Sequence, residues 1–249
     1  MKTTILTLAA LSLLPFAHTA QAAEFNEAQT KEINAAIEAY IKENPQIILD
    51  SLDAYRTKQM EEQQKAADAK AKELLDILKE NPDRFPIAGN KKGDIVIAEF
   101  FDYNCGYCKK AFEGVQEAIA DDKNVKFVFI DLPILGPSST LASEYALAAA
   151  KQNKYWEFHQ ELMKFQGQKD EKNLTEMAEK VGIDVEKMKK DAAGDEVQKE
   201  IADNRKLAED LNISGTPGFV IETQVIRGYV PYDQMKGIIS GERQKKKEG

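Results

Sequence analysis

Two cysteines three positions apart, Cys105 and Cys108, separate the apolar run 95–101 from a stretch whose apolar residues Ala111, Phe112, Val115, Ala118 and Ile119 recur at helical spacing. That order predicts strand, turn and helix, with Cys105 at the helix entrance. Unpaired backbone N–H groups and the positive end of the helix dipole meet at such a point, so a thiolate there is stabilised and its pKa falls. A dithiol placed this way can attack disulfides.

A C-x-x-C pair serves as a structural disulfide, half of a zinc site or a redox couple. Structural zinc takes four protein ligands, and beyond residue 23 the chain offers only these two cysteines and His159. A bridge closing so short a loop constrains little of the unfolded chain. Redox chemistry is the favoured reading: a redox-active Cys105–Cys108 disulfide, with no separate cofactor and no resident metal.

The N-terminus reads as a secretory signal over residues 1–22. Lys2 gives a charged start, Ile5 to Phe16 an apolar core, and Ala20-Gln21-Ala22 a small-residue cleavage site near Ala22, which implies export to the periplasm. An apolar content of 43% suits a globular protein, and a net charge of -8 argues against nucleic acid as a partner.

Beyond the signal, Asn26 to Gln29 forms a capping-box pattern, followed by Ile33, Ala36, Ile37, Tyr40 and Ile41 on one helical face. Asn44-Pro45 then opens a second helix striped by Ile48, Leu52 and Tyr55. Two short helices cannot build a core alone, so residues 23–57 need the catalytic domain or the same segment of another chain. Residues 58–73 are strong helix formers with Met60 as their one large apolar side chain. Residues 58–82 therefore read as a helical stalk; the alternative is a helix lying against the main domain through its alanines. The expected boundary falls near residues 81–85, after Asn81-Pro82, with a catalytic domain over 83–249.

Within that domain a short strand and loop over 84–90 precede the strand 94–101, which carries Glu99 in an otherwise apolar segment. An acid there either reaches solvent or is buried near the dithiol, where it could exchange a proton with the second thiol. Val125 to Asp131 reads as a further core strand. A helical insertion follows over about 138–211, including an Asn173/Glu176 capping box and a structural His159 beside Phe158. Gly215-Thr216-Pro217 leads into an apolar strand and is compatible with a cis bond, and Val225, Ile226 and Gly228 suggest a hairpin return. A last helix opens near Pro231, and residues 243–247 read as a solvated tail.

Glu99-Phe100-Phe101 ahead of Cys105, the Cys105-Gly106-Tyr107-Cys108 motif and Gly215-Thr216-Pro217, in this order of elements, resemble the DsbA family. The resemblance implies an α/β thioredoxin-like fold with an inserted helical domain, preceded by an α-helical N-terminal oligomerisation segment and stalk. It implies Cys105 as nucleophile, Cys108 as resolving thiol, and Glu99 as proton carrier. Thr216, Pro217, Gly106 and Tyr107 would form the substrate-binding set. The oxidising members carry Pro-His between their cysteines where this chain has Gly106-Tyr107, and Thr216 before the proline is similar to the isomerases; both departures point away from a dedicated oxidase. The helical extension resembles that of the suppressor-of-copper-sensitivity C-type and Com1-like oligomeric disulfide isomerases, implying a homo-oligomer, a trimer before a dimer. Misfolded or reduced secreted proteins would be the substrates, and a membrane reductase of the DsbD type the electron donor. The competing readings are a dithiol oxidase and a copper-tolerance protein holding Cu(I) through both thiolates.

Overall fold

The structure, a computed structural model, describes residues 25–248, so the expected signal segment lies outside the described residues. The chain divides into two units, one ending at Arg56 and one beginning at Thr57.

The first unit holds α1 (Glu27–Glu43) and the start of α2 (Gln46–Glu80). The capping box forms as the sequence predicts: Asn26 Oδ1 accepts the Gln29 N–H at 2.9 Å, and Gln29 Oε1 accepts the Asn26 N–H at 3.1 Å. No described residue of this unit is buried; Ile33, Ile37, Tyr40, Ile41, Ile48 and Leu52 all stand in solvent.

The second unit is built on five strands, β1 (Ile87–Gly89), β2 (Ile95–Phe101), β3 (Val125–Asp131), β4 (Gly218–Ile221) and β5 (Gln224–Arg227), in the order β1-β3-β2-β4-β5. β2 and β3 are parallel; the other pairs are antiparallel. The parallel pair needs a crossover, supplied by α3 (Gly106–Asp121), the helix that starts at the cysteines. Five helices, α4 (Pro137–Ala150), α5 (Tyr155–Lys164), α6 (Glu171–Lys180), α7 (Val185–Ala192) and α8 (Asp195–Asp210), form the insertion between β3 and β4, and α9 (Tyr232–Glu248) closes the chain.

Side chains alternate along each strand, so the sheet has two cores. Ile95, Ile97, Phe101, Val125, Phe127 and Phe129 face α3 and the insertion. Ala98, Phe100, Val128 and Ile130 face the other way, onto Ala67, Ala71, Leu74 and Leu78 of α2. Those four α2 residues recur at i, i+4, i+7 and i+11, one face of a helix, and the two alanines let the backbone approach the sheet.

This packing corrects the stalk. Residues 67–78 are part of the core of the unit beginning at Thr57, and the boundary expected near 81–85 falls inside it. The alternative reading holds for this stretch: the helix lies against the sheet through Ala67 and Ala71 as well as its leucines. Two smaller corrections follow. The α6 N-cap is Asp170, whose carboxylate accepts the Asn173 N–H at 2.9 Å, so the expected Asn173 cap lies inside the helix. Residues 243–247 are helical and Arg243 pairs with Asp94 and Asp122, so the stretch is a solvated helix end and not a loose tail; residues 244–247 are exposed as expected. Among the described residues no helix is long and apolar enough to cross a membrane.

Candidate active site

Directly after β2 stands an acid that builds the turn. Asp102 is fully buried, and its Oδ1 accepts the Asn104 N–H and the Ser139 hydroxyl, both at 2.7 Å. Its Oδ2 accepts the N–H groups of Ile134 and Leu135 at 2.9 and 3.0 Å, which ties the loop before α4 to the turn. The Asp102 carbonyl in turn accepts the Cys105 N–H at 3.0 Å. Cys105 is thereby fixed as the N-cap of α3, where its sulfur accepts the Cys108 N–H at 3.4 Å.

On its other side the Cys105 sulfur lies 3.3 Å from the Thr216 carbonyl oxygen, to which the thiol donates. The Thr216–Pro217 bond is cis, and 111 residues of sequence separate the two halves of this contact. Both cysteines are free thiols. The Cys108 thiol, the Thr216 side chain and the N–H groups of Cys108 and Tyr107 outweigh burial and bring the Cys105 thiol down to about 5. Cys108 moves the opposite way: burial first, then the neighbouring Cys105 sulfur and the Glu99 charge, push its thiol far up. Below about pH 5 Cys105 is a thiol that donates to Thr216; at neutral pH it is a thiolate that keeps only the bonds it accepts, while Cys108 stays a thiol.

Glu99 lies on the face of β2 shared by Ile97 and Phe101, the α3 face, and is 1% exposed. The strand pattern left solvent and burial open; the pleat decides for burial beside the dithiol. Neither carboxyl oxygen has a hydrogen-bond partner among the described residues. Burial, with the Cys105 charge behind it, raises its pKa to about 8. The residue is mostly a neutral acid at pH 7, and when ionised its charge acts on the Cys108 thiol.

Gly106 opens the helix with free space where a Cβ would stand, and Tyr107 is exposed, its ring 6.1 Å from that of Tyr229. Lys110 sits over the same Tyr229 ring at 4.8 Å. The structure thus gathers Glu99, Cys105, Gly106, Tyr107, Cys108, Thr216 and Pro217 at the C-terminal end of β2. His159 is elsewhere in kind: buried among aromatic rings, hydrogen-bonded through Nδ1 to the Tyr103 hydroxyl at 3.0 Å and held neutral by burial, its pKa about 3.

Sequence reasoning missed Asp102, Asn104 and Asp131. Asp102-Tyr103-Asn104 carries an Asx-turn signature that announces the first two. Asp131 ends β3, accepts the Tyr155 hydroxyl at 2.8 Å and is raised to about 7 by burial; nothing local in the sequence marks it. Among the described residues no group of three or more His, Cys, Asp or Glu side chains is arranged to hold a metal ion.

Comparison with known proteins agrees with this geometry. The family described as DSBA-like thioredoxin domain matches residues 96–240, and that described as copper resistance protein ScsC N-terminal domain matches residues 29–67. A thioredoxin-like oxidoreductase from Silicibacter pomeroyi is 39% identical, with a TM-score of 0.65 over 68% of this chain and 97% of that one. ScsC of Proteus mirabilis in a transitional conformation is 30% identical, with a TM-score of 0.64 over 89% of this chain and 98% of its own. Disulfide bond formation protein D of Bacillus subtilis is 25% identical over 169 residues, 63% of this chain and 76% of that protein. The chain spans only 24% of the length of the Na(+)/H(+) antiporter NhaA 3 of Salinispora tropica, 30% identical over 155 residues, 61% of this chain.

Proposed function

This chain belongs to the DSBA-like thioredoxin family of thiol-disulfide oxidoreductases, and from that premise we propose that it is a periplasmic protein disulfide isomerase working as a homo-oligomer. The observation that carries the isomerase reading is the apolar stripe from Ile33 to Tyr55, which stays in solvent within its own unit. A second copy of the same stripe covers it, and the match of residues 29–67 to the ScsC N-terminal domain supports that occupant. We take three copies, the number implied by the family resemblance. Several Cys105 sites then share one substrate, the arrangement suited to reshuffling a misfolded secreted protein.

The chemistry follows from the two sulfurs. The Cys105 thiolate attacks a substrate disulfide, forming a mixed disulfide and releasing one substrate thiolate. That thiolate attacks another substrate disulfide, and the thiolate freed there displaces Cys105, so bonds are exchanged and no electrons are gained or lost. The Thr216 backbone beside the Cys105 sulfur pairs with the substrate backbone, as the family resemblance implies, while Gly106 and Tyr107 leave the approach open. In the mixed disulfide the Cys105 charge that helps keep Glu99 protonated is gone, and the ionised fraction of Glu99 takes the Cys108 proton. Cys108 then attacks Cys105, which expels reduced substrate and leaves the Cys105–Cys108 disulfide. A membrane dithiol donor of the DsbD type returns it to two thiols.

A second reading, a dithiol oxidase, is favoured by the low Cys105 pKa, because a stabilised thiolate makes the disulfide a stronger oxidant. Here Glu99 acts as the acid that protonates departing Cys108. A Cu(I) role through the two thiolates predicts a copper stoichiometry that vanishes in the Cys105→Ser/Cys108→Ser variant.

The deciding experiment compares the full chain with Ile37→Glu/Ile48→Glu at equal active-site concentration. Reactivation of scrambled ribonuclease should fall at least about tenfold as the oligomer dissociates, while oxidation of reduced ribonuclease stays within about twofold. Equal reactivation by a variant that sediments as a monomer moves the assignment to the oxidase.

A further inference from the structure

Lys169 is among the largest fully buried side chains of the molecule, 1% exposed, in the loop between α5 and α6. A buried ammonium loses several kcal/mol of hydration and is normally retained only against a carboxylate. Lys169 instead donates to a neutral acceptor, Asn104 Oδ1, at 3.2 Å, and Asn104 is the residue immediately before the nucleophile. The Phe165 ring lies 5.9 Å from its nitrogen. Two charged groups face it: Lys109 of α3, whose ammonium donates to the Phe165 carbonyl at 2.5 Å, and Asp102 at the end of β2. Burial and the like charge of Lys109 lower its pKa to about 8. Such a placement is costly for stability and explicable by a task at the redox turn.

The direction of the hydrogen bonds identifies the task. An ammonium has donors only, so Asn104 must present its oxygen to Lys169 and its NH2 to the other side. There Asn104 Nδ2 donates to the Ser138 and Ser139 hydroxyls, each at 2.9 Å. Ser139, accepting there, donates its own hydroxyl hydrogen bond to Asp102 Oδ1 at 2.7 Å, and the same oxygen accepts the Asn104 N–H. Every bond points from the cation toward the anion, so each polarises the next. The chain closes a ring around residues 102–104, from which the Cys105 N–H is held.

We propose that Lys169 is a positioning residue for the redox turn, acting through Asn104, Ser139 and Asp102 to hold Cys105 where its sulfur meets the Cys108 N–H and the Thr216 carbonyl. The helical insertion thereby contributes a cation to a site whose own dipeptide, Gly106-Tyr107, has none. This rests on Cys105 being the nucleophile.

The test is the pH profile of Cys105 alkylation by iodoacetamide in the full reduced chain, with the labelled peptide identified by mass. In Lys169→Met the rate at pH 5 should fall about fivefold as the midpoint moves up, and Lys169→Arg should restore it to within about twofold. An unmoved midpoint in a folded Lys169→Met overturns the inference, since a merely structural lysine alters the melting temperature and leaves the thiol titration alone. Should Lys169→Met not fold, Asn104→Ala breaks the same chain at a half-buried position: a raised midpoint supports the relay and an unchanged one overturns it. Label found on Cys108 instead of Cys105 would mean that the assignment of the nucleophile has failed, a different outcome from an unmoved midpoint on Cys105.

Discussion

Two regions break the rule of apolar inside and polar outside, and they do so in opposite directions. Residues 33–55 leave Ile37 at 52% and Tyr40 at 58% exposure, whereas the unit beginning at Thr57 buries Glu99, Asp102 and Asp131 to 1% or less. An exposed apolar stripe marks a missing partner. A buried carboxylate marks either a scaffold or a reaction, and its hydrogen bonds say which. Asp102 accepts four and organises the turn; Glu99 accepts none and is kept as an acid beside the thiols.

If that distinction holds, removing the unpartnered acid should stabilise the fold. Glu99 has its pKa raised from 4.5 to about 8, so between those pH values the unfolded chain releases a proton that the folded chain keeps. Stability from this group is therefore lost as pH rises through that window and constant above it, an upper bound of about 5 kcal/mol. Asp131 slopes the same way, and Cys105 and His159 the opposite way, so only a difference isolates Glu99. Glu99→Gln minus wild type, from urea unfolding of the reduced proteins, should grow from pH 4.5 to pH 8 and then level. The same variant should slow Cys108-dependent release of a mixed disulfide by about a hundredfold. A pH-independent difference would place Glu99 with Asp102 as scaffold.

The central strands and the active-site helix were legible, and the Thr216–Pro217 bend was marked, because apolar runs, helical spacing and punctuating prolines are local signals. Cys105 and Cys108 were legible for the same reason. The proximity of Thr216 to Cys105 came from family resemblance, since no local pattern spans 111 residues. What stayed hidden depends on what faces a residue. Ala67 and Ala71 look like stalk filler until the sheet is set against them, and Lys169 looks like any surface lysine until Asn104 is placed at its end. Glu99 was ambiguous because a strand with both faces covered loses the alternation that would tell inside from outside.

The stripe and the α2 core face offer the next test, because both are apolar helix faces and only one is covered within its unit. Leu74, 1% exposed against Phe100 and Val128, should cost about 3 kcal/mol when cut to alanine. Ile37→Ala should change the unfolding of the same unit by less than about 0.5 kcal/mol. The chain's single tryptophan, Trp156, stacks on Phe129 and His159 in that unit, so its fluorescence reports the catalytic core alone. Sedimentation should show the reverse order, with Ile37→Ala weakening assembly and Leu74→Ala sparing it wherever the fold survives. Equal destabilisation by both would mean that the stripe belongs to the same core.

The smallest expected effect lies at the C-terminus, where composition suggested a tail. Arg243 grips both Asp94 oxygens at 2.8 Å through Nε and Nη2 and reaches Asp122 at 2.9 Å through Nη1. Its geometry is bidentate, but the three side chains retain 26%, 47% and 26% exposure, so water competes for every bond. Arg243→Gln should cost about 1 kcal/mol in low salt and less at about 1 M salt, where exposed pairs are screened. Arg243→Lys should recover only part of the loss, because a point charge cannot span two oxygens of one carboxylate and a second acid together. Since Asp94 precedes β2 and Asp122 follows α3, the pairing pins α9 to the strand that leads into the redox turn and to the helix that carries the cysteines. A salt-independent loss would attribute the stability instead to the apolar face of α9, where Met235 and Ile239 are buried, and leave the guanidinium as an ornament of the surface.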